Sequence, residues 1–289
     1  MTFWIFLIII LFAIIQVRSV LLSKDKHYFW TTDLDTAKPY INAGNQQGIG
    51  LQDHFLYKGS NIHLSNSEIE TILNKYFVYY RNLDTHLQYR FFERLTKFMN
   101  AKKFLIYSNE PFKEMPILIS AAAVQISFGL DDFEMPHYQF IKVQKEAYFA
   151  ENSFRILAGN VKDNSITLAW NHLLKGYFDY EDGSNVGLHE MAHALYYQEV
   201  IVNNSANEFA HHFNLLMNDG ENVLLQKQCP HQLYSSYAFS NLQEFWAVSV
   251  ELFFEKAIRL QTAYPTIYVH LQHVLKQNPL IPQKPIVLD

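Results

Sequence analysis

His189 and His193 lie four residues apart in Leu188-His189-Glu190-Met191-Ala192-His193, so on a helix their imidazoles share a face and can reach one metal ion. Glu190 follows the first histidine directly, which places its carboxylate beside such an ion rather than on it. There it can take the proton of a water polarised by the ion while that water attacks a carbonyl. The competing reading is two surface histidines with a helical glutamate between them, and a third ligand decides between the two.

In the extended His-rich metalloprotease class a glycine and a third histidine follow the second histidine by three and six residues. Those positions hold Tyr196 and Glu199, so that class is excluded. Later candidates are Glu208, His211, His212, His231 and Glu244. Glu244 falls in the first turns of a helix that starts at Ser240-Asn241-Leu242, and packing of that helix on the one carrying His189 would present Glu244 to the ion. Two histidines and one glutamate make an open, catalytic set with a position left for water. His211 and His212 are the rival, as members of a closed structural site. At helical spacing they form the polar face opposite Phe209, Phe213 and Leu216. Tyr237, seven residues before Glu244, can donate to an oxyanion, although most of the 18 tyrosines must be packing residues. Glu251, seven residues after Glu244, shares its helical face; it can back up a ligand histidine, but a solvated or locally paired carboxylate is the plainer reading.

These residues need helices to hold them, and the pattern supplies helices on both sides of a small sheet. Ser67-Glu68-Ile69-Glu70 has the form of a capping box, followed by an apolar face at Ile69, Ile72, Leu73, Tyr76, Phe77 and Tyr80. Leu87, Phe91, Leu95 and Phe98 mark a second helix, and a third runs from Pro116 to before Gly129. Tyr138–Val143 and Ser165–Trp170 read as short strands, with residues 161–164 as a turn. Beyond Gly183 the period is helical to about Lys276, with breaks expected around Gly220 and Cys229-Pro230. Ser184 or Asn185 can cap the helix of the histidine pair. The predicted fold is α+β, mainly helical with a small mixed β-sheet, in one domain over 61–289 preceded by a polar linker over 23–60.

Composition narrows the function classes. The chain has 289 residues, 49% hydrophobic and 18% charged, which excludes a disordered or polytopic membrane protein. Its net charge of −5, without a long basic run, argues against nucleic acid as a partner. The lone Cys229 can form neither an internal disulfide nor a thiolate cluster, so a metal must rely on His and carboxylates. The first 22 residues are apolar apart from Arg18 and a few uncharged polar residues, and as a helix would span about 33 Å, enough for a bilayer core. A secretory signal peptide is the rival reading, although no basic residue precedes Phe3 and Gln16 to Val20 is a poor cleavage site. Positive charge lies late in the segment and just after it, at Arg18, Lys24 and Lys26, which predicts a single-pass anchor in a bacterial inner membrane with the body in the cytoplasm. In that compartment the sequon Asn203-Asn204-Ser205 carries no consequence.

From about Tyr89 to Asn278 the sequence resembles the MtfA (Mlc titration factor A) family of bacterial zinc metallopeptidases. The resemblance rests on Ile119–Leu130 (ISAAAVQISFGL), Ser165–Trp170 (SITLAW), Leu188–His193 (LHEMAH) and Ser236–Phe254 (SYAFSNLQEFWAVSVELFF). It implies a gluzincin-like fold related to the catalytic domain of anthrax lethal factor. It also implies one zinc ion, Zn2+, on His189, His193 and Glu244, with Glu190 as general base and Tyr237 as transition-state donor. Ligand type alone also admits manganese or cobalt. Members of that family are known for aminopeptidase-type activity on small substrates and for binding a glucose repressor. The expected function is therefore zinc-dependent hydrolysis of peptide or protein substrates, with strand Ser165–Trp170 available to pair with an extended peptide. The alternative is a regulatory protein that captures a transcription regulator and uses the metal to organise its fold. A purely structural metal protein would need a fourth protein ligand. The anchor and linker lie outside the resemblance.

Overall fold

The computed structural model describes residues 55–59, 64–107, 112–150, 155–203, 208–226 and 233–281. Apart from Phe112 to Met115, these belong to one compact unit made of 53–108 and 116–289. The anchor predicted over residues 1–22 lies outside the described residues; among those described, no helix is long and apolar enough to cross a membrane.

The architecture is mainly helical around a small mixed sheet. In chain order the strands are β1 (Phe55–Lys58), β2 (Lys103–Tyr107), β3 (Phe140–Gln144), β4 (Tyr148–Ala150), β5 (Arg155–Leu157), β6 (Gly159–Lys162) and β7 (Ser165–Ala169). The main sheet has the order β1-β2-β3-β7-β6, while β4 and β5 pair with each other as a separate antiparallel ribbon. β2, β3 and β7 are parallel; β1 and β6 run antiparallel at the two edges. Register places Phe104, Ile141 and Ile166 in one row and Ile106, Val143 and Leu168 in the next, all fully buried. These rows are the apolar face of the sheet, and each large side chain buried there stabilises the fold by about 1.5–3 kcal/mol.

The helices are α1 (Asn66–Tyr76), α2 (Val78–Arg81), α3 (Thr85–Ala101), α4 (Glu114–Ser127), α5 (Trp170–Phe178), α6 (Val186–Tyr196), α7 (Glu208–Gln226), α8 (Leu242–Glu255), α9 (Ala257–Ala263) and α10 (Pro265–Leu275). A π-helical turn, Tyr197–Val202, continues α6, and a 3-10 turn, Ser236–Phe239, precedes α8. The three predicted N-terminal helices are α1, α3 and α4. The capping box sits two residues earlier than expected: Ser65 accepts from the Glu68 N–H and Glu68 returns the bond to the Ser65 N–H at 2.9 Å. Ser67 lies inside the helix instead.

Three further expectations are corrected. Gly220 does not interrupt a helix but lies within α7, where a Cβ would stand 2.7 Å from Cδ1 of Phe245, so its missing side chain admits the α8 ring. The linker stretch contains β1, and Lys103–Tyr107 is a strand that the periodicity did not reveal. It alternates half-buried and buried residues, with Lys103 and Tyr107 at its ends masking a three-residue apolar core. Trp170 opens α5 rather than ending β7. Cys229 lies outside the described residues.

Lys102, buried just before β2, donates from Nζ to the carbonyls of Glu134, Met135 and Tyr138 at 2.6, 2.8 and 2.7 Å. It thereby ties down the loop leading to β3, where Met135 adopts a left-handed φ of 46°. Burial lowers its pKa to about 8, opposed by the nearby Glu134 carboxylate.

Candidate metal centre

His189, Glu190 and His193 ride on α6, which is buried on nearly all sides. Of the two possible caps the structure uses Asn185, whose side-chain oxygen accepts from the Leu188 N–H at 3.1 Å. Gly187, Ala192 and Ala194 keep this helix narrow, and the Trp246 indole N–H donates to the Ala192 carbonyl at 2.8 Å, which fixes α8 against α6. Asn241 caps α8 by accepting from the N–H groups of Gln243 and Glu244 at 2.9 and 3.0 Å. The two caps and the indole bond together set the phase at which Glu244 meets the imidazoles.

Nε2 of His189 and Nε2 of His193 stand 3.2 Å apart. Glu244 Oε2 is 3.0 Å from the first and 3.4 Å from the second. One ligand atom from each of the three residues lies within 4.8 Å of the others, and among the described residues this group of His, Cys, Asp and Glu side chains is the one so arranged. Behind the cluster His189 Nδ1 hydrogen-bonds Glu251 Oε1, while Glu251 Oε2 accepts the Asn185 N–H at 3.1 Å. A proton at Nδ1 would leave the Nε2 lone pair of His189 available to an ion in the cluster. Glu251 is therefore buried and bonded to a candidate ligand, not solvated; the seven-residue spacing from Glu244 was the signal for it.

Three carboxylates crowd two imidazoles in a largely buried space, which calls for positive charge at the centre. The titration of the cluster expresses this. Burial disfavours the His189 imidazolium, but hydrogen bonds to Glu244 and Glu251 outweigh it and lift its pKa to about 10. Burial also opposes ionisation of Glu244, yet bonds from His189 and His193 hold its carboxyl well below the usual range. Burial pushes Glu190 up to about 8, countered by His189 and reinforced by Glu244 and Glu251. Two imidazole nitrogens and a carboxylate oxygen, with a carboxylate behind one imidazole, fit a divalent metal ion and would leave part of its coordination shell open.

Tyr237, on the 3-10 turn before α8, is 52% exposed, and its ring lies 5.9 Å from that of His189. It lines two neighbouring cavities, of about 370 Å³ and 610 Å³, which His189 and Glu190 also line. The structure does not bring the rival histidines here. Glu208 pairs with Lys276 at 2.7 Å, and His212 stacks on His273 with ring centroids 4.6 Å apart. Phe209, Phe213 and Leu216 are buried on the opposite face, as the helical spacing predicted. His231 lies outside the described residues.

Two features escaped the sequence reading. Gly159 in β6 passes so close to Glu190 that a Cβ there would lie 2.6 Å from Glu190 Cδ. Glu255, one turn beyond Glu251, accepts the Gly183 N–H and the Asn185 side-chain N–H, both at 3.0 Å. The strand expected to receive a peptide is also corrected: β7 is flanked by β3 and β6, so both its edges are used. Among the described residues β6 is the sheet edge beside the cleft, with Gly159, Asn160, Val161 and Lys162 lining it.

An uncharacterised protein of Synechocystis sp. is 24% identical over 233 residues, spanning 73% of this chain and 84% of that protein. The family model described as glucose-regulated metallo-peptidase M90, a family that includes MtfA, matches residues 60–276. A match of that extent covers α1 to α10 and β2 to β7, both helices of the cluster included, and the chain belongs to this metallopeptidase family.

Proposed function

We propose that the chain is a zinc-dependent peptidase in which His189, His193 and Glu244 hold the ion, Glu190 is the general base and Tyr237 donates to the oxyanion. The observation that carries this reading is the convergence of those three ligand atoms within 4.8 Å, in an open cleft with Glu190 beside them. Membership of a metallopeptidase family supports it. A bound zinc ion supplies Lewis acidity, polarising a carbonyl and lowering the pKa of water. Glu190 accepts the proton of the attacking water and delivers it to the leaving amine. Tyr237, more than half exposed, can turn its hydroxyl to the oxygen on which charge develops. Glu251 holds His189 in place throughout.

The test is metal analysis beside turnover of peptide reporters. Glu190→Gln is expected to retain about one zinc per chain and lose about 10²–10⁴-fold in kcat, whereas His193→Ala loses the metal. A Glu190→Gln protein that cleaves at the wild-type rate ends the assignment. The proposal includes an anchor over residues 1–22 in a bacterial inner membrane with the body in the cytoplasm, supported by the apolar run and the basic residues after it. Release of the full chain from membranes by alkaline extraction would remove that part.

A further inference from the structure

We propose that a third cavity, walled by aromatic rings from α1, α2, α5 and α8, binds a small organic ammonium ion. It has a volume of about 220 Å³ and shares no lining residue with the two cavities at the metal centre. Tyr76, Phe77, Tyr79, Tyr177, Tyr180 and Phe254 supply its rings, and Glu181 and Glu255 supply carboxylates. A water molecule takes about 30 Å³ of liquid, so the space suits an ion of about seven heavy atoms.

The rings are set at steep angles. Phe77 stands at 68° to Tyr177 with centroids 5.3 Å apart, and Tyr79 at 82° to Phe254 with centroids 5.9 Å apart. In such edge-to-face pairs one ring keeps both faces clear of the other, and the negative face of an aromatic ring attracts a cation. One member of the set already shows this attraction: the Lys75 ammonium lies over the Tyr76 ring, 4.9 Å from its centroid. An organic ammonium ion suits this lining because its alkyl groups pack on the rings while its charge meets their faces and the carboxylates. A hard divalent ion would need several oxygens in place of the rings. Among the described residues the group of His, Cys, Asp and Glu side chains arranged for such an ion is at the metal centre.

Glu255 gives the cavity its charge. Its two oxygens accept the Gly183 N–H and the Asn185 side-chain N–H, both at 3.0 Å, and both donors are neutral. The charged groups that act on it are Glu251 on its own helix and Asp182 on the loop before α6, both of the same sign. Cations on the surrounding elements donate to carbonyl oxygens: Lys256 to that of Asp182, Arg81 to those of Asn74 and Lys75, and Arg94 to those of Ser127, Phe128 and Leu130. Burial and the two like charges raise the pKa of Glu255 to about 8, against the lowering effect of its two bonds. A cation in the cavity supplies the balancing charge. Its binding therefore strengthens as pH rises towards 8 and levels off above it, where Glu255 is already ionised.

The experiment is calorimetric titration of the full chain with choline at pH 8.5 and constant ionic strength, beside the neutral isostere 3,3-dimethylbutan-1-ol. The expected result is one saturable site per chain with a Kd of about 1 mM or tighter. The alcohol should bind about tenfold more weakly or worse, and choline itself severalfold more weakly at pH 6.5. Glu255→Gln keeps the shape and removes the charge; it should fold and lose about tenfold or more in choline affinity. Phe254→Leu should lose severalfold. The inference is overturned by an absence of saturation, by equal binding of the alcohol, or by unchanged choline affinity in Glu255→Gln. Binding that appears only in Lys284→Gln overturns it too, because that residue, five positions beyond the cavity residue Pro279, would then be the occupant.

Discussion

Glu251 shows how much of the centre is settled one side chain at a time. Its two oxygens bind His189 Nδ1 and the Asn185 N–H, so a single carboxylate ties a candidate ligand to the cap of the helix that carries it. Removing the charge while keeping the shape should loosen the imidazole without unfolding the chain. Glu251→Gln is expected to weaken zinc binding by about 10–100-fold, as measured by competition with a chromophoric chelator. An unchanged affinity would mean that the bond is incidental. His189, His193 and Glu190 were legible as a set because helical spacing is a local rule. Glu244 was legible as well, from the helix start at Ser240-Asn241-Leu242. Glu251 was visible only as a spacing, since nothing local distinguishes a buried carboxylate from a solvated one.

At the scale of elements the decisive contact is between β6 and α6. The strand approaches until Gly159 has room for no side chain beside Glu190. In Gly159→Ala the methyl group must displace the flexible end of Glu190, which costs little stability but moves the carboxylate proposed as the base. A shift of about 1 Å can lower kcat by about 100-fold. The expected variant therefore binds zinc as wild type does, unfolds at a similar temperature and turns over far more slowly. Wild-type kcat in Gly159→Ala would show that Glu190 keeps its position without help from β6. The sequence carried no sign of this glycine's role, because the residue it accommodates is 31 positions away. The choice of β7 as the peptide-binding strand failed for a related reason. Its apolar run announces a strand, but edge or centre is decided by which other strands find it.

At the scale of the whole molecule, the mostly buried helix α6 enters the core beside two acidic groups of α8. Glu255 is held by Gly183 and Asn185, while burial, together with the charges of Glu251 and Asp182, raises its pKa to about 8 against the lowering effect of those two bonds. A folded pKa above the unfolded one means that the proton binds the native state more tightly. That stabilisation is present below the unfolded value and fades as pH rises towards 8. Glu255→Gln imitates the protonated form. It should match wild type in thermal unfolding at pH 5 and exceed it at pH 8.5. A difference in melting temperature that does not depend on pH would exclude this account.

The residues by themselves determined the chemistry on offer: a helical histidine pair with its glutamate, a capped helix bearing a further glutamate, an apolar content sufficient for a core and no surplus of positive charge. The helical features depend on neighbours within one or two turns, where backbone geometry is nearly fixed, and the rest is composition. Tertiary structure alone decided that Glu208, His211 and His212 stay away from the pair, that Glu251 turns inward and that, among the described residues, β6 takes the open edge. Those outcomes depend on which surfaces exclude water against one another, and residues far apart in the chain meet only when the whole core closes.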